Sequence, residues 1–250
     1  MKKFVCVISF LLAYAVSALA SRVEYAHFSH FSTDDGMMTN KSESITQDDR
    51  GFIWIATDFG LDRFDGSNFR HFSKENYPDI PRDNFLFVSH VGKGRIIAGG
   101  MNGLLVDYDP TTDKMSDKMP KDFDKTYYKM THGVTRDSEG AIYAFTNGGV
   151  YLYDEATQEF TSDHPTYNAL TGAFIRSMYI DSQHRFWLGL GDGVSIYGKN
   201  GGQLMEYKGE HSEGVVNSIC SLKNGFVAVI TAHTTTGIMV KEALPCVERD

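Results

Sequence analysis

One twenty-residue stretch, from Gln47 to Gly66, recurs along the chain in degraded form and constrains the fold more than any other feature. It contains two turns and two short apolar segments. Aligned copies place equivalent turn residues at Gly51, Gly94, Gly140, His184 and Gly225, so the intervals are 43, 46, 44 and 41 residues. A repeat of this length and content is typical of a β-propeller, in which each copy forms one four-stranded blade. The sequence therefore predicts an all-β fold with about five blades.

Each copy can be divided into four strands. In the first copy we predict strands at Ser44–Gln47, Phe52–Thr57, Gly60–Phe64 and Phe69–Phe72. The second strand is apolar at consecutive positions, which indicates burial on both faces, as when blades stack on their neighbours. Trp54, Tyr143 and Trp187 share one position in this strand. We expect them to be inter-blade core, and sugar stacking is the alternative.

The first turn of each copy has its own chemistry. Asp48 begins the turn and Gly51 ends it, because aspartate bonds to its own backbone and glycine accepts a positive φ. Asp137 and Asp181 recur at the position of Asp48, and His184 replaces the glycine in the fourth copy. Such recurrence predicts a structural role, because catalysis needs groups that converge on one centre. We expect no catalytic residue, no metal site and no cofactor.

The N-terminus has the features of a secretory signal peptide over residues 1–20. Lys2 and Lys3 precede an apolar segment, and Ala18-Leu19-Ala20 fits a cleavage site, so the mature chain would begin at Ser21. An uncleaved membrane anchor is the competing interpretation, but the apolar segment is short for a span. We expect a periplasmic protein.

The net charge limits the classes of partner, and the cysteine content limits the disulfide bonds that the chain can form. The net charge is −8, and it becomes −10 once Lys2 and Lys3 are removed, which disfavours nucleic acid and anionic membrane surfaces. The mature chain would keep Cys220 and Cys246, too few for a disulfide framework. Cys220 falls in a predicted strand, where we expect a small buried hydrophobe.

Residues 23–31 resemble an outer strand, yet they precede the first inner strand. Tyr25-Ala26-His27-Phe28-Ser29 matches Phe69-Arg70-His71-Phe72-Ser73 in character. An orphan outer strand of this kind completes the last blade of a closed propeller and removes an exposed edge. Both a closed five-bladed ring and an arc of a larger ring fit the count, and we expect part of a seven-bladed ring.

The run Ile45 to Thr57, followed by Gly60-Leu61 and by Arg63-Phe64-Asp65-Gly66, resembles the two-component regulator propeller repeat. That repeat runs Q-D-x-x-G-F-I-W-I-G-T-x-x-G-L-x-R-Y-D-G, and this chain departs from it at Ala56 and Phe64. Asp35-Gly36 with Asn40 also resembles the segment just before the family's first blade. The likeness covers about residues 23–240 and weakens toward the fifth copy.

The resemblance implies a periplasmic sensor of a hybrid two-component system, of the kind that senses oligosaccharides. In such proteins two propellers precede an immunoglobulin-like domain, a membrane helix, a histidine kinase, a receiver and often a DNA-binding domain. We expect these downstream sensor and kinase domains to be missing from this chain. Alternatives are a glycan-cleaving propeller enzyme and a truncated fragment with an open ring.

A ligand is expected at the rim that carries the turns between second and third strands. These turns supply polar side chains at nearly one height, namely Asp58, Asn102, Asn147 and Asp192. The connections between blades supply aromatic candidates, namely Tyr77, Tyr128 and Tyr167. Amides, carboxylates and aromatic rings together suit a neutral oligosaccharide. The competing interpretation is that these residues merely suit turns and cover blade ends.

Overall fold

A computed structural model of the chain describes residues 28–120, 130–162, 170, 173–208, 214–221, 226–233 and 238–245. The chain divides into two compact units, Met1–Phe31 and Ser32–Asp250. The predicted signal peptide and residues 23–27 of the predicted orphan strand lie outside the described residues. The rest of that predicted strand, residues 28–31, has no regular secondary structure.

The second unit is built from five antiparallel sheets. The first contains β1 (Ser44–Gln47), β2 (Ile53–Thr57), β3 (Gly60–Phe64) and β4 (Phe69–Phe72). The second contains β5 (Phe85–Gly92), β6 (Arg95–Gly100), β7 (Leu105–Asp109) and β8 (Lys114–Asp117). The third contains β9 (Thr131–Arg136), β10 (Ile142–Thr146), β11 (Gly149–Asp154) and β12 (Glu159–Thr161). The fourth contains β13 (Ser177–Ile180), β14 (Phe186–Gly189), β15 (Gly193–Tyr197) and β16 (Gln203–Lys208). The fifth contains β17 (Gly214–Ser221), β18 (Phe226–His233) and β19 (Ile238–Pro245).

Strands follow one another in chain order within every sheet, as in propeller blades. Apart from strands, the described residues contain two 3₁₀ turns, η1 (Thr33–Asp35) and η2 (Met101–Gly103). Across these residues, no helix is long and apolar enough to cross a membrane. The predicted all-β propeller fold is confirmed.

Four apolar clusters hold the five blades together, one between each successive pair. Trp54 belongs to the cluster between blades one and two, Tyr143 to that between blades three and four, and Trp187 to that between blades four and five. Trp54 is fully buried, and its ring lies 4.9 Å from Phe72 and 5.0 Å from Tyr108 of the next blade. The predicted core role of these three aromatic residues is confirmed.

Each recurring turn aspartate joins its turn to that core. The first Asp181 oxygen, Oδ1, accepts the backbone N–H groups of Gln183 (2.9 Å) and Arg185 (3.0 Å). The second, Oδ2, accepts Trp187 Nε1–H at 2.8 Å and Arg185 Nε–H at 2.6 Å. Equivalent bonds to the backbone and to the strand aromatic are made by Asp48 and by Asp137. These bonds satisfy buried donors that water cannot reach, so the aspartates are structural, as predicted.

The Asp181 carboxyl makes the stability of the fold sensitive to acid. Burial opposes its ionisation, but the hydrogen bonds from Trp187 and Arg185 outweigh burial and hold its pKa below the usual range. Ionised Asp181 therefore stabilises the fold above the unfolded carboxyl pKa of about 3.9, and this contribution disappears as the pH falls through the lower folded pKa. We expect the difference in unfolding free energy between wild type and Asp181→Asn to shrink between pH 7 and acid pH. Urea unfolding of both proteins across that range tests this, and a constant difference would contradict it.

The segment before the first blade forms a compact turn. Ser32 caps η1, Gly36 follows in a left-handed conformation with φ of 101°, and Asn40 Oδ1 accepts the Thr33 N–H at 2.8 Å. Met38 N–H then donates to the buried carboxylate of Asp62 at 3.0 Å, which fastens this segment to β3. The Asp-Gly and Asn residues that carried part of the resemblance are thus turn residues.

The expectation that Cys220 is buried was wrong: its side chain is exposed. Ile219 and Val216 of the same strand pack toward blade four, in the cluster that contains Trp187. A β-bulge between Val216 and Ser218 brings Val216 and Ile219 to the same face. Because successive strand residues point to opposite faces, Cys220 lies on the face opposite its neighbour Ile219, away from that cluster.

Candidate functional site

The turns between the second and third strands lie at one end of the blades. The residues that lead into each inner strand lie at the same end. In blade one, Thr57 pairs with Gly60 across the turn, and Ser44, the first residue of β1, pairs with Ala56. We call this end the upper rim. Among described residues it comprises 58–59, 101–103, 147–148 and 190–192, together with the inner-strand entries 84, 130–132 and 173–176.

A threonine shapes the upper-rim turn in blades one and three. The Thr57 hydroxyl donates to the Gly60 carbonyl at 2.9 Å and accepts the Phe59 N–H at 3.1 Å. The Thr146 hydroxyl does the same with the Gly149 carbonyl and the Gly148 N–H. A side chain at Gly60 would meet the Phe72 carbonyl at 2.5 Å, so only glycine fits there. These bonds hold the turn backbone so that its two central residues, Asp58-Phe59 in blade one and Asn147-Gly148 in blade three, are presented at the rim.

The structure places the four predicted polar residues on the upper rim of four successive blades. Asn102 and Asp192 are exposed, and Asn102 adopts a left-handed conformation with φ of 55°. Asn147 is half-buried and accepts a hydrogen bond from His132 Nε2. Asp58 is half-buried, and its Oδ1 is buried with no hydrogen-bond partner among the described residues. The rim thus carries polar groups of several blades.

Tyr77 lies elsewhere. Its ring stacks on Phe72 at 4.9 Å, and its hydroxyl contacts Arg70 and, at 3.4 Å, Asp113. Asp113 lies in the turn between third and fourth strands, at the opposite end of blade two, where it also pairs with Arg70 at 2.6 Å. These three residues line a groove of about 620 Å³ on the outer side of blades one and two. Tyr128 and Tyr167 lie outside the described residues.

Sequence reasoning missed the apolar side chains of the upper rim. Phe59 is 59% exposed, Met101 is 42% exposed and Phe174 is 46% exposed. Two of them adjoin predicted residues, since Phe59 follows Asp58 and Met101 precedes Asn102 in the same turns. For Phe59, the signal in the sequence was a large apolar residue in the two-residue turn between β2 and β3. Exposed aromatic rings next to amides and carboxylates are typical of a surface that binds sugars.

A cluster between blades three and four combines these features. The Phe174 ring lies 5.8 Å from the His132 ring, and the Arg176 guanidinium lies 6.0 Å from the Phe174 centroid. Burial, helped by nearby Arg176, lowers the pKa of His132 although its hydrogen bond to Asn147 acts in the opposite sense. His132 is therefore neutral at physiological pH. We call His132, Asn147, Phe174 and Arg176 the blade 3–4 cluster.

One group of carboxylates and a histidine among the described residues has the spacing of a cation site: Asp137, Glu139 and His184. It lies on the first turns, at the end opposite the upper rim. The two His184 ring nitrogens face different carboxylates, with Nδ1 3.7 Å from Asp137 and Nε2 3.1 Å from Glu139, and Lys199 also pairs with Glu139 at 3.2 Å. Metal ligation uses the lone pair of one nitrogen, so this arrangement fits an ion pair between blades better than a metal site.

Comparison with known proteins found similar solved structures but no similar sequence. No model of a known protein family and no curated protein matches the sequence. Among solved structures, the chain is similar to the extracellular domains of two hybrid two-component systems from B. thetaiotaomicron. The first has a TM-score of 0.65 at 17% identity, covering 82% of this chain and 27% of that one. The second has a TM-score of 0.65 at 14% identity, covering 78% of this chain and 26% of that one.

An enzyme also shares the fold. Virginiamycin B lyase from Staphylococcus aureus superposes with a TM-score of 0.56 at 12% identity, covering 79% of this chain and 68% of the lyase.

The chain spans about a quarter of the length of the two sensor domains from B. thetaiotaomicron. It has the propeller fold of these extracellular sensor domains, and the predicted resemblance is confirmed at the level of the fold.

Proposed function

We propose that this chain is a ligand-binding propeller of a periplasmic two-component sensor, and that its upper rim binds an oligosaccharide. The observation that carries the proposal is the exposure of Phe59, Met101 and Phe174 on the rim that also holds Asp58, Asn102, Asn147 and Asp192. Apolar ring faces cover the C–H faces of a sugar, while amides and carboxylates bind its hydroxyl groups. The signal-peptide pattern and the shared fold with extracellular sensor domains support the location and the sensing role.

We further propose that the chain binds its ligand without cleaving it, and that histidine kinase domains outside these 250 residues receive the signal. The three recurring aspartates are engaged by backbone and aromatic donors, so they are unsuited to acid–base chemistry. Glycan cleavage is the second candidate because the lyase shows that this fold supports enzymes. Release of reducing sugar by the purified mature protein would favour that candidate.

Alanine substitutions on the upper rim provide the test of binding. We expect Asn102→Ala, Asn147→Ala and Phe59→Ala each to weaken binding of an oligosaccharide by about tenfold, since loss of a central contact costs more than about 1 kcal/mol. The measurement is calorimetric titration of the mature protein and its variants against a panel of neutral and acidic oligosaccharides. Thermal unfolding of each variant verifies that it is folded, so that a loss of affinity reports on binding.

Leu204→Ala is the matched control. Leu204 is 53% exposed, like Phe59, but it lies on the outer strand β16, away from the upper rim. Its removal should leave affinity unchanged. Equal affinity in all three rim variants would overturn the assignment of the site, and a folded protein that binds no glycan would overturn the proposed ligand class.

A further inference from the structure

The blade 3–4 cluster places an exposed arginine beside an exposed aromatic ring on the upper rim. Arg176 is exposed, and its guanidinium forms no ion pair with any residue in the described part of the chain. Some other arginines are neutralised by a neighbouring carboxylate, as Arg70 is by Asp113 and Arg185 is by Asp181, both at 2.6 Å. In a chain of net charge −8, an unpaired cation beside an exposed ring is a local exception.

The neighbours of Arg176 complete a surface that fits one sugar ring. The Arg176 guanidinium lies over the Phe174 ring, 6.0 Å from its centroid, and the ring is still 46% exposed to solvent. His132 Nε2 forms a hydrogen bond with the side-chain carbonyl oxygen of Asn147, and a carbonyl oxygen can only accept. The proton of the neutral imidazole therefore lies on Nε2, and Nδ1 remains an acceptor. A sugar hydroxyl can donate to that nitrogen. The cluster therefore combines a stacking face, a hydroxyl acceptor and a planar cation.

We infer that the blade 3–4 cluster selects a sugar residue carrying an anionic group, a carboxylate or a sulfate, with Arg176 as the residue that binds the anion. This inference rests on the proposed function of the upper rim and narrows its ligand to acidic oligosaccharides. A guanidinium matches the two oxygens of a carboxylate or sulfate with two parallel hydrogen bonds, a geometry that neutral sugars do not offer. The overall negative charge of the chain does not prevent this, because charges more than about 8 Å away are largely screened at physiological ionic strength.

The test compares acidic and neutral forms of one oligosaccharide on the full mature chain. For the carboxylate source the pair is a galacturonic acid oligosaccharide and its fully methyl-esterified form. For the sulfate source the pair is a sulfated oligosaccharide and its desulfated form. We expect one acidic form to bind at least about tenfold more tightly than its neutral partner, and the source that shows the difference identifies the anion.

Two arginine variants locate the effect. Arg176→Gln should reduce the affinity for the acidic form to that of the neutral form and leave the neutral form unaffected. Arg50→Gln removes an equal charge from a first turn, at the opposite end of blade one, and should preserve the preference. Thermal unfolding of both variants verifies that they are folded.

The outcomes separate the inference from the proposed function. Equal affinity for acidic and neutral forms would overturn the acidic subsite and leave the oligosaccharide rim standing. An equal loss in Arg176→Gln and Arg50→Gln would assign the preference to long-range charge and overturn the role of Arg176. Binding of no glycan by the folded protein would overturn both.

Discussion

Replacing Trp54 with alanine should lower the free energy of unfolding by about 4 kcal/mol, because a fully buried tryptophan is removed from the contact between two blades. The change leaves a cavity against Phe72 and Tyr108, whose rings lie 4.9 and 5.0 Å away. It also removes the indole N–H that Asp48 Oδ2 accepts at 3.0 Å, so a buried carboxylate oxygen loses a donor. Such a loss is a large part of the stability of an ordinary domain. Denaturant unfolding measures it.

Phe59→Ala is the control for this experiment. Phe59 is also an aromatic residue of blade one, five positions after Trp54, but it is 59% exposed at the upper rim. Its removal should change the unfolding free energy by no more than about 0.5 kcal/mol. A loss below about 1 kcal/mol in Trp54→Ala would contradict the assignment of Trp54 to the inter-blade core.

Replacing Asp181 with alanine should cost about 3 kcal/mol of stability, although the change removes only one small side chain. The carboxylate accepts four hydrogen bonds, and its side chain is 4% exposed. Without it, the Trp187 indole N–H and the Arg185 guanidinium are left in a partly or fully buried setting without an acceptor. Urea unfolding followed by the fluorescence of Trp54 and Trp187, the two tryptophans of the chain, measures the loss of stability.

Asp65→Ala tests whether the loss of stability in Asp181→Ala comes from the buried hydrogen bonds to the core or from the turn bonds alone. Asp65 also accepts two backbone N–H groups, from Ser67 and Asn68, but it is exposed and bonds to no aromatic residue in the described structure. Its replacement should be far less costly than that of Asp181. Similar losses in the two variants would mean that the turn bonds alone, rather than the link to the core, account for the effect.

Much of the fold could be read from the repeat. The boundaries of β1, β3 and β4 match the predicted strands, and β2 begins one residue later than predicted. The prediction succeeded because turn and strand signals lie within twenty residues of each other, so neighbouring residues suffice to specify them. In contrast, the exposure of Cys220 depends on which face of the last described blade packs against blade four.

The candidate site was only partly accessible from the sequence. Turn position placed Asp58, Asn102, Asn147 and Asp192 on one rim, since the antiparallel order of each blade dictates which turns share an end. The same reasoning grouped Tyr77 with them, whereas its ring packs on Phe72 and its hydroxyl faces Asp113 of the next blade. A residue in a twelve-residue connection can turn to either side, and contacts with the neighbouring blade decide which.

The sequence by itself determined the aspartate turn, because that turn depends on bonds between residues at most six positions apart, as from Asp181 to Trp187. It also showed the blade repeat and the aromatic core position, because both recur at equivalent positions along the chain. Only the tertiary structure decided which side chains reach solvent at the rim. Phe59 and Phe174 are exposed, while Phe72 and Phe186 of similar chemistry are buried. That difference arises because burial depends on surfaces that neighbouring blades bring together from distant parts of the chain, and no local pattern encodes it.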